Sequence, residues 1–169
     1  MNENYINFLQ KKLNTYYDTK ENLEYENLKF DLFAKYNQIN SKYVGLKSIS
    51  VYEYRNNEFL YIKNSKNFDM DEFNNIVEIF KKNLNSLIDK DNNHMSSLIS
   101  FIFLVEDMDE SLFKNIKKFS YSKSFSFGFK GWVDFGVSVI NIKNRYIVNN
   151  KKTKVYKELF NMDKNYKFI

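Results

Sequence analysis

Two carboxylates and a lysine, Asp31, Glu53 and Lys63, fall on three successive stretches that read as strands. Carboxylates on adjacent strands can hold Mg²⁺ through oxygen, and a lysine beside them can stabilise charge at a phosphate. That is the chemistry of a divalent-metal-dependent phosphodiester hydrolase, nuclease-like in character. The acid-any-lysine tripeptide that would set a carboxylate and a lysine on one strand face is missing, and Glu53-Tyr54-Arg55 comes nearest to it. The plainer reading is strand acids and lysines that face water or pair across the sheet.

A second set of carboxylates, Glu106 and Asp107 with Asp109 and Glu110, follows a long apolar run. Clustered acids at a strand end can hold a divalent ion, or simply form a solvated turn with Asp109 capping a short helix. His94 is the sole histidine, so a two-histidine metal site is excluded. The string His94-Met-Ser-Ser97 could set a base near a hydroxyl, or could be an ordinary loop histidine before a strand.

The stretch Phe125 to Gly136 holds Gly128, Gly131 and Gly136, three of the four glycines, and the only tryptophan, Trp132. On a strand from Trp132, Asp134 shares a face with Trp132, Gly136 and Ser138, while Val133, Phe135, Val137 and Val139 take the other. One face then offers a carboxylate, an aromatic plate and a position without a side chain: a shallow ligand platform, or a place where another segment approaches closely. Just upstream, Phe125, Phe127 and Phe129 alternate with serines and Gly128. Exposed aromatics beside lysines grip single-stranded nucleic acid, but the serine alternation places these phenylalanines in the core.

Charge is unevenly distributed. Residues 69–113 hold ten acids and three lysines, a net of −7, whereas residues 114–169 hold thirteen bases and three acids, a net of +10. The chain has 25 Asn and 24 Lys against one Ala and no Pro, the mark of an AT-rich coding sequence, so its lysine content alone says little. Their clustering says more: Lys143, Arg145, Lys151, Lys152 and Lys154, with Trp132 and Asp134, make a binding surface for nucleic acid or an acidic protein, provided they share one face. A solvated face balancing the acidic middle is the alternative.

The elements that position these residues follow from periodicity. Ile6, Leu9, Leu13 and Tyr16 predict an amphipathic helix from Glu3 to about Thr19. Glu21 to Asn27 breaks the pattern, and alternation over residues 28–37 predicts a strand. Further strands are expected at about 43–54 and 58–63, joined by a hairpin at Arg55-Asn56-Asn57. Asp69 and Asp71 open a helix whose apolar face carries Phe73, Ile76, Val77, Phe80, Leu84, Leu87 and Ile88. Ser97 to Val105 predicts a strand covered on both faces. A short helix with Leu112, Phe113, Ile116 and Phe119 follows. Then come a strand to about Lys130, another from Trp132 to Asn141, and a closing meander through Tyr146-Val148 and Lys154-Glu158.

The expected fold is α+β, a single domain over residues 1–169 with its last ten residues frayed. Its sheet is mixed, mainly antiparallel, of about six or seven strands, with three helices. The opening order of helix, three strands, helix and strand resembles a restriction-endonuclease-like core. No run approaches the ~20 apolar residues of a membrane span, no secretory signal is evident, and no cysteine is present, so a cytoplasmic protein without membrane attachment is expected. No cofactor is expected except a divalent metal under the nuclease-like reading.

At His94-Met-Ser-Ser97, and more clearly at Lys123-Ser-Phe-Ser-Phe-Gly-Phe-Lys-Gly-Trp-Val-Asp134, the chain resembles a family of small uncharacterised proteins from clostridia and related anaerobes, some of which carry a levansucrase label. The resemblance covers most of the chain and implies no established activity. An arginine expected soon after the acid is replaced by Gly136-Val137, so no acid and arginine pairing is carried over. A five-bladed sugar-processing propeller also cannot be built from 169 residues with three helices. The two functional expectations are therefore a binding or regulatory domain with a basic C-terminal surface and, as the alternative, the nuclease-like hydrolase.

Overall fold

The computed structural model describes residues 2–42, 52–66, 68–89 and 93–161. Its elements run α1 (Asn2–Leu13), β1 (Asp18–Tyr25), β2 (Leu28–Lys42), β3 (Tyr52–Asn64), α2 (Met70–Leu87), β4 (His94–Val105), α3 (Ser111–Lys118), β5 (Tyr121–Ser124), β6 (Trp132–Asn141), β7 (Tyr146–Asn149) and α4 (Lys157–Phe160). The strands form one mixed sheet in the order β1-β2-β3-β4-β6-β5, with β7 also paired to β6. The β3–β4 and β4–β6 pairings are parallel and the other four antiparallel, so the fold is α+β as expected.

Alternation along the central strands separates two cores. Phe101 and Phe103 of β4, with Val133, Phe135, Val137 and Val139 of β6, pack beneath α2. Ile102, Leu104 and Ile140 point the other way, towards α1 and the C-terminal segment. Helix α2 forms where its sequence dictates: the Asp69 carboxylate accepts the Glu72 N–H at 2.7 Å, and Phe73, Ile76, Val77, Phe80 and Leu84 are buried along one stripe. Phe80 meets Tyr61, Phe101, Phe30 and Tyr25 at ring-centroid distances of 4.7 to 6.0 Å.

Several boundaries differ from the periodicity reading. Helix α1 stops at Leu13, leaving Tyr16 74% exposed, and the acidic stretch from Glu21 that breaks the helical pattern lies in edge strand β1 as far as Tyr25. Its solvent-facing charges hide the strand period, as charges on an edge strand commonly do. Arg55-Asn56-Asn57 is not a hairpin but the interior of β3, paired with Ile39, Gln38 and Asn37 of β2. The strand expected at about 43–54 lies mostly outside the described residues. Strand β5 ends at Ser124, where a 3₁₀ turn over Ser126–Gly128 replaces the strand expected to Lys130. Residues 154–158 likewise belong to a 3₁₀ turn (Thr153–Tyr156) and α4 rather than a strand, giving four helices among the described residues where three were expected.

The outer edge of β6 explains that last difference. Strand β5 pairs with residues 132–135 and β7 with 138–141, leaving a gap at Gly136 and Val137. Asn150, fully buried, fills it: its Oδ1 accepts the Val137 and Thr153 N–H groups, and its Nδ2 donates to the Phe119 and Phe135 carbonyls, all at 3.2 to 3.3 Å. Asn150→Ala would orphan several buried backbone groups at about 1–3 kcal/mol each. We expect a loss of about 3 kcal/mol or more by urea unfolding, against about 1 kcal/mol for the cap variant Asp69→Ala.

Candidate binding surface at the open end of the sheet

Strand register lays out the sheet face on the α1 side as rows. Ala34, Leu60, Ser100 and Gly136 form one row, and Tyr36, Glu58, Leu98 and Asp134 the next. Gln38, Asn56, Ser96 and Trp132 form the row beyond. The first row is covered, because the 3₁₀ turn carrying Thr153 lies on Gly136: a Cβ there would stand 2.5 Å from Thr153 Cγ2 and 2.8 Å from Ser100 Oγ. Of the two readings for that glycine, the close approach holds. In the two lower rows Tyr36, Asn56, Glu58, Ser96 and Leu98 are half-buried, while Gln38 and Trp132 are exposed.

The carboxylates of this face are already engaged. Lys152 Nζ lies 2.6 Å from Asp134 Oδ2, with the Asp134 side chain 13% exposed, so two residues of the expected binding set satisfy each other. Glu58 Oε2 accepts the Tyr17 hydroxyl at 2.6 Å and the Tyr156 hydroxyl at 2.7 Å. Both phenols are pushed well above the ordinary tyrosine range, by burial first and then by the Glu58 charge and hydrogen bond. They stay neutral donors, tying the link after α1 and the C-terminal turn to β3.

Beside Trp132 the chain forms a locked loop. A β-bulge at Met95, between the Arg55 and Asn56 pairings, shifts the strand parity so that His94 reaches Ser97. His94 Nδ1 lies 2.8 Å from the Lys130 carbonyl, which can only accept, so Nδ1 carries the proton; Nε2 lies 2.9 Å from Ser97 Oγ. In the neutral ring Nε2 then accepts the Ser97 hydroxyl proton. The base and hydroxyl suggested by the sequence do meet, but His94 and Ser97 are 4% and 1% exposed, so no substrate reaches them. The pair anchors the loop instead. Gly131, at φ +74°, permits this contact, since a Cβ would lie 2.3 Å from the Met95 carbonyl oxygen.

The loop displays what the serine alternation had assigned to the core. Phe125 is buried, as expected, but Phe127 is 101% and Phe129 89% exposed, with Trp132 and Met95 near 40%. Ser126 and Phe127 both take positive φ, at 49° and 54°, a conformation a bulky residue seldom adopts. The Phe125 N–H bonds the Gly131 carbonyl at 2.9 Å and the Gly128 N–H the Phe125 carbonyl at 2.9 Å. This turn carries the chain away from the strand period, and no feature short of its glycine spacing signals it.

The basic residues divide. Lys123 and Lys130 are exposed beside the aromatic loop, and Lys151 and Lys154 are exposed in the turn that delivers Lys152 to Asp134. Lys143 and Arg145 sit in the β6–β7 turn, at the opposite end of β6 from Trp132. From Trp132 to Asn141 the strand spans roughly 30 Å at ~3.4 Å per residue, so the five expected cations do not form one patch.

Asp31 and Lys63 both line a pocket of about 300 Å³ with Asn22, Glu24 and Asn64. Asp31 Oδ2 accepts the Asn64 N–H at 2.7 Å, and Lys63 Nζ lies 3.7 Å from Glu72. Glu53 stands ten residues back along β3, roughly 33 Å away at ~3.3 Å per residue, so the expected hydrolytic trio is not assembled. Glu106 and Asp107 are exposed in the turn after β4, where Asp107 accepts the Met108 N–H and Asp109 the Ser111 N–H, each at 2.8 Å. The Ser111 backbone bond holds the Asp109 carboxyl below its usual range. Among the described residues no group of three or more His, Asp or Glu side chains could hold a metal ion, and no helix is long and apolar enough to cross a membrane.

A family model described as "Domain of unknown function (DUF8052)" matches residues 1–162. No curated protein and no solved structure matches the chain.

The two phenols on Glu58 set a pH dependence. In the unfolded chain they titrate near 10, and in the fold higher, so above pH ~10 the unfolded state binds fewer protons and stability falls as pH rises. Thermal melts from pH 8 to 12 should show a decline starting near pH 10. The Tyr17→Phe, Tyr156→Phe double variant should melt lower at pH 8 and decline less steeply above pH 10.

Proposed function

We propose that the chain, which belongs to this family of unknown function, is a binding domain for an anionic partner. The reading is supported above all by one feature: exposed Lys130 stands between exposed Phe129 and Trp132, further exposed lysines stand on β5 and in the turn after β7, and Asp134, two residues on from Trp132, is already paired with Lys152. Positive charge at this end is left to act outward, steering and holding a polyanion. Lys143 and Arg145, at the other end of β6, lie outside the site.

Each lysine that neutralises a phosphate releases condensed counterions, so binding to nucleic acid should weaken steeply with salt. Fluorescence polarisation of labelled DNA and RNA at 20 and 150 mM salt should show saturable binding, much tighter at the lower concentration. Changing Lys123, Lys130, Lys151 and Lys154 together to Gln should reduce affinity at least tenfold and flatten the salt slope by about 3. Lys143→Gln with Arg145→Gln should change little. Absence of binding to any polyanion at low salt would sink the proposal.

A further inference from the structure

We infer that the bound polyanion is single-stranded nucleic acid, whose unpaired bases stack on Trp132, Phe127 and Phe129 and lie along the row of Gln38, Asn56 and Ser96. The inference rests on the anionic-partner reading and adds base recognition to it. Charge alone would be served by lysines on any surface. Here exposed Lys130 lies in one short stretch with three exposed aromatic side chains, Phe127, Phe129 and Trp132, the first two almost wholly exposed.

The geometry favours a strand over a duplex. Adjacent residues of the row are about 4.8 Å apart, so its four positions span roughly 14 Å, room for two or three splayed bases. Ser96 donates to Asn56 Oδ1 at 2.6 Å, which leaves the Asn56 amide N–H₂ pointing away from that bond as a donor for a base edge. Gln38 is exposed beside it. A duplex hides both its stacking faces and its Watson–Crick edges, so its bases could not stack on these rings.

Rigidity adds to the case. The His94 to Lys130 hydrogen bond, the close contact at Gly131 and the turn bonds of Phe125 fix the loop in the conformation that displays Phe127 and Phe129. Aromatics held in place before the ligand arrives lose little freedom on binding. The same chemistry of aromatics and lysines also suits an anionic lipid surface. That occupant is less favoured, because the aromatic patch continues into a row of amides and hydroxyls that a bilayer would desolvate without partners.

Trp132 is the only tryptophan, so its fluorescence reports the site directly. The probes are oligothymidylate of 12 nucleotides, an abasic deoxyribose-phosphate strand of the same length, a 12-base-pair duplex, and vesicles containing phosphatidylserine. Oligothymidylate should quench Trp132 and bind at least tenfold tighter than the abasic strand. The Phe127→Ala, Phe129→Ala double variant should lose about tenfold or more of that affinity while melting as the parent does, since both rings are exposed. Equal binding of the base-bearing and abasic strands would overturn base stacking and leave the anionic-partner reading standing. Binding of vesicles but no oligonucleotide would assign the loop to a lipid surface and overturn the inference. Binding of none of the four would remove both readings together.

Discussion

The side chain of Asn150 is the constraint on which the active-looking end of this molecule depends. An outer sheet edge needs a partner for every backbone group that burial removes from water. Strand β6 is the last full-length strand, and it is served by two short strands that approach from opposite ends and never meet. One asparagine amide closes the interval by offering both an acceptor and a donor at once, to backbone groups of β6, of the segment after α3 and of the turn at Thr153. An aspartate could not donate, and a leucine could do neither. With the interval closed, Thr153 is drawn over Gly136 and Lys152 to Asp134, and Tyr156 comes within reach of Glu58. The C-terminal turn is thereby held as the lid of the α1-side core, and it stops one row short of Trp132.

That stopping point gives the surface its character. Above it, helix α1 and the C-terminal turn bury apolar residues; below it, the sheet face carries Glu58, Asn56, Ser96, Gln38 and Trp132 with no helix across them among the described residues. The second fixed feature is the aromatic loop, held from the other core by buried Phe125 and from the end of β4 by His94. A histidine bonded through both ring nitrogens to a carbonyl and a hydroxyl acts here as a rigid spacer. The catalytic arrangement it superficially matches needs an exposed hydroxyl, and Ser97 has none.

The sequence was most legible where one residue period ran unbroken through a buried element. Helix α2, with its Asp69 cap and single apolar stripe, strand β4, with its nearly unbroken apolar run from Leu98 to Val105, and strand β6, with Val133, Phe135, Val137 and Val139 in alternation, were all readable that way. It was least legible where local chemistry opposed the tertiary outcome. Strand β1 carries charges because it is an edge, and Arg55-Asn56-Asn57 has turn chemistry yet is straightened by pairing on both sides. The pairing of Asp134 with Lys152 spans two elements, so neither partner could be read as neutralised in advance. Phe127 and Phe129 fit a buried alternation until positive φ at Ser126 and Phe127 turned them outward.

Those two phenylalanines carry the most functional information in the chain, because nothing in folding rewards their position. Burying either would gain roughly 2–3 kcal/mol, and a strand continued through Ser126 and Phe127 would avoid two left-handed residues. The loop forgoes both, and does so under restraint from His94, Gly131 and the turn bonds rather than through looseness. Strained backbone held in place by its surroundings, bearing apolar rings into water beside unpaired positive charge, is the pattern expected of a surface shaped by what it binds. Lys143 and Arg145 stand in the β6–β7 turn, at the far end of β6 from that loop. On the proposed reading the site lies at the loop of exposed rings and Lys130, not over the basic C-terminal third as a whole.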